Sequence, residues 1–194
     1  MEAIRSLREL PGLAESRNFI VPWDDIEADL GTALPGDYRE YVGYFGPGRW
    51  SGYLNVLIPD IEAAGSELRY QHRSLNALLQ EKPDLRAGLS HSVYPEPGGL
   101  LRWGGTSGGE LLHWRTGGQD PDQWPVVVVG SDAPEEIQEF DGSMSEFMSE
   151  LFAGRLSIPF MSAGPTLDEI EFKGLTGKAS RPRFAIPAVS HFAE

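Results

Sequence analysis

The alternation of apolar and polar positions is clearest in residues 34–60, where a helical pattern runs directly into an extended one. Apolar side chains recur three and four positions apart from Tyr38 to Phe45, which predicts one buried face of a helix over residues 35–45. Gly46 suits the position after a helix end, where a left-handed backbone is needed. From Tyr53 to Ile58 every second residue is apolar on one side, which predicts a strand.

Three further helices are predicted, over residues 22–31, 61–82 and 143–153. The last has the strongest signal, because Ser143 and Glu146 have the spacing of a capping box. An unbroken apolar stripe follows them at helical spacing and ends before a glycine.

The remaining apolar runs predict strands. Leu100–Trp103 and Glu110–Thr116 are expected to form a hairpin around a glycine-rich turn at 104–109, with Val126–Val129 as a strand buried on both faces. Ile137–Phe140 is a further candidate. These elements predict an α+β fold with a single mixed, mainly antiparallel sheet of about five or six strands and helices packed against it.

The helix, glycine-rich turn and strand that follow Leu34 also resemble a known family. The sequence LPGDYREYVGYFG at residues 34–46 is similar to the opening of the SUKH superfamily, whose members contain a Smi/Knr-like domain. The resemblance returns at 100–116 and at 126–154. The superfamily includes a fungal cell-wall regulator and many bacterial immunity proteins, so the resemblance implies a non-catalytic protein that binds another protein.

The resemblance divides the chain into three parts. An N-terminal segment at 1–19, with a weak helix from Glu2 to Leu10, precedes a SUKH-like domain at 20–154. A C-terminal extension at 155–194 follows, and it is too apolar for a free tail. We expect the extension to pack on the domain or on a partner through the apolar residues Ile158, Phe160, Ile170, Phe172, Phe184, Ile186 and Phe192.

Composition narrows the classes of function. The chain of 194 residues has no cysteine, which excludes disulfides and a cysteine nucleophile, and it has no apolar run long enough to cross a membrane. Its start is charged throughout and lacks the apolar core of a signal peptide, so the cytoplasm is the expected location.

The net charge of −13 is concentrated in the first 154 residues, which hold 25 acidic and 11 basic side chains. An acidic body argues against nucleic acid as a partner, because phosphate binding depends on Lys and Arg. It is compatible with a basic protein partner, although solubility alone would also explain it.

Few residues suggest chemistry. A phosphate cradle needs a helix after its glycines, whereas the glycines at 104–109 precede a strand, which favours a hairpin turn over an anion site. The four histidines, at 72, 91, 113 and 191, lack metal-ligand spacing. No catalytic signature is present, and we expect neither an enzyme nor a cofactor or metal site.

The tryptophans leave two possibilities open. Trp50, Trp103, Trp114 and Trp124 would form a buried core or a surface platform for sugar or peptide, and burial is the commoner fate of tryptophan in strands. Trp50 is the best candidate for a surface role, because it follows Arg49 in an apparent turn between two glycines.

The strongest candidate for a partner surface is the stretch from 132 to 150, which holds seven acidic residues and no basic one. We assign partner binding first to Asp132, Glu135, Glu136 and Glu139, which the pattern places in a loop after the buried strand. Arg49 and Trp50 are the next candidates for partner binding. A merely solvated edge is the alternative.

The resulting hypothesis is an immunity protein that occludes a basic toxin, often a nuclease. The alternatives are a scaffold or regulator of the same fold, and a small hydrolase or sugar-binding protein. The sequence predicts no oligomeric state.

Overall fold

The computed structural model of the chain describes residues 2–8, 16–131 and 135–175. The helices in this part of the chain are α1 (Glu2–Arg8), α2 (Trp23–Leu30), α3 (Gly36–Phe45), α4 (Leu68–Glu81), α5 (Pro83–Ala87) and α6 (Met144–Phe152). The strands are β1 (Gly48–Trp50), β2 (Leu54–Val56), β3 (Leu100–Thr106), β4 (Leu111–Arg115), β5 (Val126–Val129), β6 (Ile137–Phe140) and β7 (Phe172–Gly174).

Within the described residues the strands form one seven-stranded sheet in the order β6-β5-β4-β3-β2-β1-β7. All neighbouring pairs are antiparallel. The predicted α+β class with one sheet is confirmed, with slightly more strands than expected. The sequence pattern misses β1 and β7, which are three residues each. Outside the named strands, Val93 makes a single bridge to Leu100.

The hairpin of β3 and β4 is tighter than the glycine pattern predicts. Gly104 and Gly105 continue β3, so the turn is confined to Ser107–Gly109. A Cβ atom on Gly104 would lie 2.8 Å from the carbonyl oxygen of Asn55 in β2. Glycine is therefore needed here for close approach between β2 and β3 at a bulge, and not for a wide loop.

The prediction of one helix over residues 61–82 is wrong at its start. A short 3-10 turn at Ala64–Ser66 precedes α4, which begins only at Leu68. The carboxylate of Glu67 accepts hydrogen bonds from the backbone N–H groups of Tyr70 and of Asp60, the latter at 3.0 Å. Glu67 thus caps α4 and ties its start to the end of the preceding strand region, which the apolar spacing alone does not reveal.

The capping box predicted for α6 is confirmed. The backbone N–H of Ser143 donates to the Glu146 carboxylate at 2.8 Å, and the Glu146 N–H donates to the Ser143 hydroxyl at 3.4 Å. At the other end Gly154 has a φ of +67°, and the Arg155 N–H reaches back to the Glu150 carbonyl at 3.0 Å. Both ends of α6 are therefore defined by local bonds.

The main core lies between one face of the sheet and helices α3 and α6. Trp114 packs edge-to-face on Tyr38 of α3, with ring centroids 5.0 Å apart, and Trp103 packs on Phe147 of α6 at 6.1 Å. Trp50 is also fully buried, and its indole N–H donates to the Tyr41 hydroxyl at 2.8 Å. The surface-platform alternative is therefore wrong for Trp50, whose ring is enclosed by other aromatic side chains.

The first part of the C-terminal extension, residues 155–175, lies against the domain. Strand β7 pairs with β1, the side chain of Ile170 is buried, and the ring of Phe172 lies 5.1 Å from that of Trp50. Ser162 is held from two sides, because its N–H donates to the buried Glu110 carboxylate and its carbonyl accepts from the Tyr53 hydroxyl, both at 2.7 Å. The candidate contacts Phe184, Ile186 and Phe192 lie outside the described residues.

No helix in the described ranges is both long enough and apolar enough to cross a membrane.

Candidate protein-binding surface

The sheet has a second face, turned away from the main core. Leu100, Val127 and Val129 form a small separate cluster there, with Leu111 and Ile137 packed against it and partly exposed. Because successive side chains of a strand alternate between the two faces, β5 is buried on both sides, as its continuous apolar run predicts.

An ion pair crosses this second face. The Arg115 Nε of β4 donates to the Glu139 Oε2 of β6 at 2.7 Å, so the two side chains meet across the intervening strand β5. Val127 of β5 is opposite Glu139 in register and has no accessible surface. Since both charged groups are 40 to 47% exposed, the pair contributes little to stability and remains available to a partner.

The pKa of His113, which lies on this face, is strongly perturbed. It is only 5% exposed, and burial lowers its pKa to about 3, with further lowering by the nearby Arg102 charge and by His91. The imidazole is therefore neutral near pH 7. The ring of His91 lies 6.2 Å away, and burial lowers its pKa too.

We expect His113 to make the folded protein sensitive to acid. Its folded pKa of about 3 lies below the usual 6.5, so between these values the unfolded chain binds a proton that the folded protein does not. The free energy of unfolding should therefore fall by up to about 1.4 kcal/mol per pH unit as the pH drops from ~6 to ~4. Urea unfolding of the wild type and of His113→Phe at several pH values measures this slope. Parallel pH curves for the two proteins would contradict a buried neutral histidine.

Three of the four predicted acidic residues, Glu135, Glu136 and Glu139, lie at one edge of the sheet. Glu135 is exposed and Glu136 is half-buried in the segment that leads into β6. Glu139 lies within β6, which pairs with β5, so the strand candidate Ile137–Phe140 is confirmed and the placement of Glu139 in a loop is wrong. Asp132 lies outside the described residues.

Arg49 is not near these acids. It is exposed on β1 and, because Trp50 points into the main core, alternation directs Arg49 to the second face. Strand β1 lies five strands from β6 in the sheet order. At ~4.8 Å per strand this places Arg49 roughly 24 Å from the acidic edge. The predicted site residues therefore occupy two separate places.

Sequence reasoning missed the residues that connect the acidic edge to the sheet. Leu111 and Arg115 belong to β4, whereas Ile137 and Glu139 belong to β6, and only the pairing of both strands with β5 brings the two apolar runs together. The alternation in Leu111–Arg115 places its odd-numbered residues on one face. The sequence therefore indicates which residues of β4 share a face, but it does not indicate which strand lies beside β4.

A pocket of about 530 Å³ lies between the end of α6 and the extension. The described residues that line it all lie between Leu151 and Asp168, and Asp168 is the one ionisable side chain among them. Asp168 is exposed, so the pocket lacks the paired, environment-tuned groups that acid–base catalysis requires. In the described part of the chain, no three His, Cys, Asp or Glu residues are grouped so that they would hold a metal ion.

The SUKH_6 family model, described as SMI1-KNR4 cell-wall, matches residues 22–148. The matched range begins just before α2 and ends within α6, so it contains β1 to β6 and the acidic edge, and leaves out α1 and β7. No curated protein and no solved structure matches the chain.

Proposed function

The chain belongs to the SMI1-KNR4 cell-wall family of the SUKH superfamily, and from that membership we propose that it is a non-enzymatic immunity protein that binds and neutralises a bacterial toxin. The match over residues 22–148 is the observation that carries the proposal. The family-like part of the chain is also the part that holds nearly all of the negative charge.

The net negative charge of the chain favours a basic toxin domain as its partner, and nucleases are the first class of toxin to consider. A nuclease active site must attract phosphates, so it is lined with Lys and Arg. An acidic protein of net charge −13 complements such a site, raises the rate of encounter and blocks access to it. The proposed mechanism is stoichiometric occlusion, with no chemical step on the toxin.

The side-chain chemistry on the second face supports binding over catalysis. The buried His113 is neutral and its titratable neighbours are Arg102 and His91, whereas a general base is normally oriented by a carboxylate. Partly exposed apolar side chains at Leu111 and Ile137 lie beside exposed charges, which is the composition of a protein contact with a polar rim.

Lysine substitution at both Glu135 and Glu136 is expected to slow association with a basic toxin, because it replaces two negative charges near the proposed contact. The slowing should shrink as salt rises above ~0.15 M, where charges are screened within about 8 Å. Stopped-flow association with a basic toxin domain at several salt concentrations measures this, and the product of the neighbouring gene is the first candidate partner to test.

The matched control is lysine substitution at Glu62 and Glu81, two exposed acids far along the chain from β6. It makes the same change in net charge, so it separates a local effect from the field of the whole protein. Both double variants should unfold at nearly the wild-type temperature. Equal slowing by the two would remove the β6 region from the proposed interface.

A second candidate function is a scaffold or regulatory protein of the same fold, and the description of the matched family as cell-wall favours it. Co-expression separates the two. An immunity protein should restore growth to cells that produce the toxin domain in their cytoplasm, which is the compartment proposed for this chain. A regulator should give no protection.

A further inference from the structure

Strand β6 forms one edge of the sheet and has β5 on its inner side. The Gly130 N–H donates to the Glu136 carbonyl at 2.8 Å, and Val129 is opposite Ile137. In an antiparallel ladder the bonded pairs alternate, so the next residues bonded to β5 are Gln138 and Phe140. The N–H and C=O groups of Ile137 and Glu139 therefore point outward, and within the described residues no strand pairs with them. The Glu139 carbonyl accepts a hydrogen bond from the exposed side-chain amide of Gln138 at 3.2 Å, which an added strand would replace.

The side chains at this edge carry one sign of charge. Glu135, Glu139 and Asp141 are exposed, and Ile137 is the apolar member of the same alternating series. Arg115 is the basic residue that contacts them, through its ion pair with Glu139. By contrast, the other edge strand, β7, is three residues long, and its central residue Lys173 forms an ion pair with the preceding Glu171 at 3.2 Å.

The negative charge of the β6 edge determines which kind of strand can pair with it. Charged side chains on an edge strand prevent pairing with a second copy, because identical acids would face one another. The same acids favour an extended segment with Lys or Arg at alternate positions, since opposite charges on directly paired residues stabilise a sheet. A self-complementary dimer through β6 is therefore the disfavoured outcome.

We propose that the outer edge of β6 is a strand-addition site for an extended basic segment of the partner protein. The partner backbone bonds to the outward groups of Ile137 and Glu139, and its side chains on the second face follow a stated pattern. A basic residue lies opposite Glu139, an apolar residue two positions away lies opposite Ile137, and further basic residues face Asp141 and Glu135. The proposal rests on the proposed function for the class of partner.

The probe is the acetylated peptide amide Lys-Thr-Lys-Thr-Val-Thr-Lys, whose alternate residues match this pattern in antiparallel register. Two control peptides replace every Lys by Glu, or carry N-methyl groups on the third and fifth residues, which are the positions that bond to β6. Hydrogen exchange of the full chain, followed by NMR, reports each backbone amide separately.

At millimolar concentration the basic peptide should slow exchange of the Ile137 and Glu139 amides roughly tenfold and leave those of Gln138 and Phe140 unchanged, because the latter pair are already bonded to β5. Neither control peptide should do so. Absence of binding by the basic peptide, or equal binding by its N-methylated form, would overturn the proposal.

Two variants of this protein test the backbone hydrogen bond that the Glu139 N–H donates to the added strand. Glu139→Gln removes the charge and keeps the outward N–H, whereas Glu139→Pro removes both, at an edge position that tolerates proline. Peptide binding should be weakened by the first and abolished by the second, with similar melting temperatures for the two variants. Equal peptide binding by the two would contradict strand addition. These readouts do not depend on toxin protection, so failure of this proposal and failure of the proposed function are distinguishable.

Discussion

Ending the chain after Gly154 is expected to lower the free energy of unfolding by about 3–6 kcal/mol. Among the apolar side chains that would be lost, Ile170 and Phe172 each contribute about 1.5–3 kcal/mol by their burial. The partly buried side chains of Leu156, Ile158, Phe160 and Met161 pack on the same core and would be lost with them. The loss would also uncover the fully buried ring of Trp50, against which Phe172 packs at 5.1 Å. Urea unfolding of the full and shortened proteins measures the difference.

The matched control ends the chain after Leu175, which keeps β7 and removes only residues 176–194. The difference between the two shortened proteins then reports the contribution of residues 155–175. We expect residues 155–175 to account for most of the lost free energy of unfolding. This segment contains β7, the buried Ile170 and Ser162, whose N–H donates to the buried Glu110 carboxylate. Equal unfolding midpoints for the two shortened proteins would contradict the packing described for the extension.

Phe147→Ala is expected to cost about 3–5 kcal/mol, which is the usual range for deleting a fully buried phenylalanine ring. Phe147 has no accessible surface, and its ring lies 6.1 Å from that of Trp103 and 5.6 Å from that of Phe140. The variant therefore leaves a cavity between α6 and the sheet, and it also removes two edge-to-face aromatic contacts.

Ser143→Ala is the control for Phe147→Ala, because it changes the same helix without touching the core. It removes a capping bond at the exposed start of α6 and should cost about 1 kcal/mol. Chemical unfolding of both variants gives the two values. Losses of equal size would mean that α6 does not pack its Phe147 face on the sheet.

The helices α3 and α6 are predictable because their signals are local. In each, an apolar face and the end signals occur within about a dozen residues, so no distant contact is needed. The start of α4 is different. Its apolar stripe extends back to residue 61, but Gly65 and the bonds from Glu67 to the strand region before it fix the first turn. That contact is made in three dimensions and has no periodic signature.

Trp50 shows why site prediction is harder than fold prediction. Its neighbours Gly48 and Gly52 indicate a turn and therefore exposure. In the folded chain Gly48 instead allows close packing of Phe172, because a Cβ atom there would overlap that ring. Phe172 is one of three phenylalanines whose rings pack on Trp50, and it lies far along the chain and outside the family-like part, so the local sequence could not indicate this contact.

The acidic part of the candidate surface was visible in the sequence as a run of acids without a base. Its geometry was not, because the position of β6 at the edge and the pairing of Arg115 with Glu139 depend on strand order. The sequence therefore indicates the acidic side chains on which the proposal depends, whereas the outward-facing backbone groups beside them are evident only from the sheet topology.

Titration of toxin activity with this protein tests the central claim of stoichiometric, non-enzymatic neutralisation most directly. A fixed amount of the toxin domain is mixed with increasing amounts of the protein, and residual toxin activity is measured after binding has reached equilibrium. We predict a linear fall that ends at one equivalent, together with a one-to-one complex in solution. Complete inactivation by a small fraction of an equivalent would indicate catalysis, and undiminished toxin activity at several equivalents would indicate no neutralisation; either result would contradict the account.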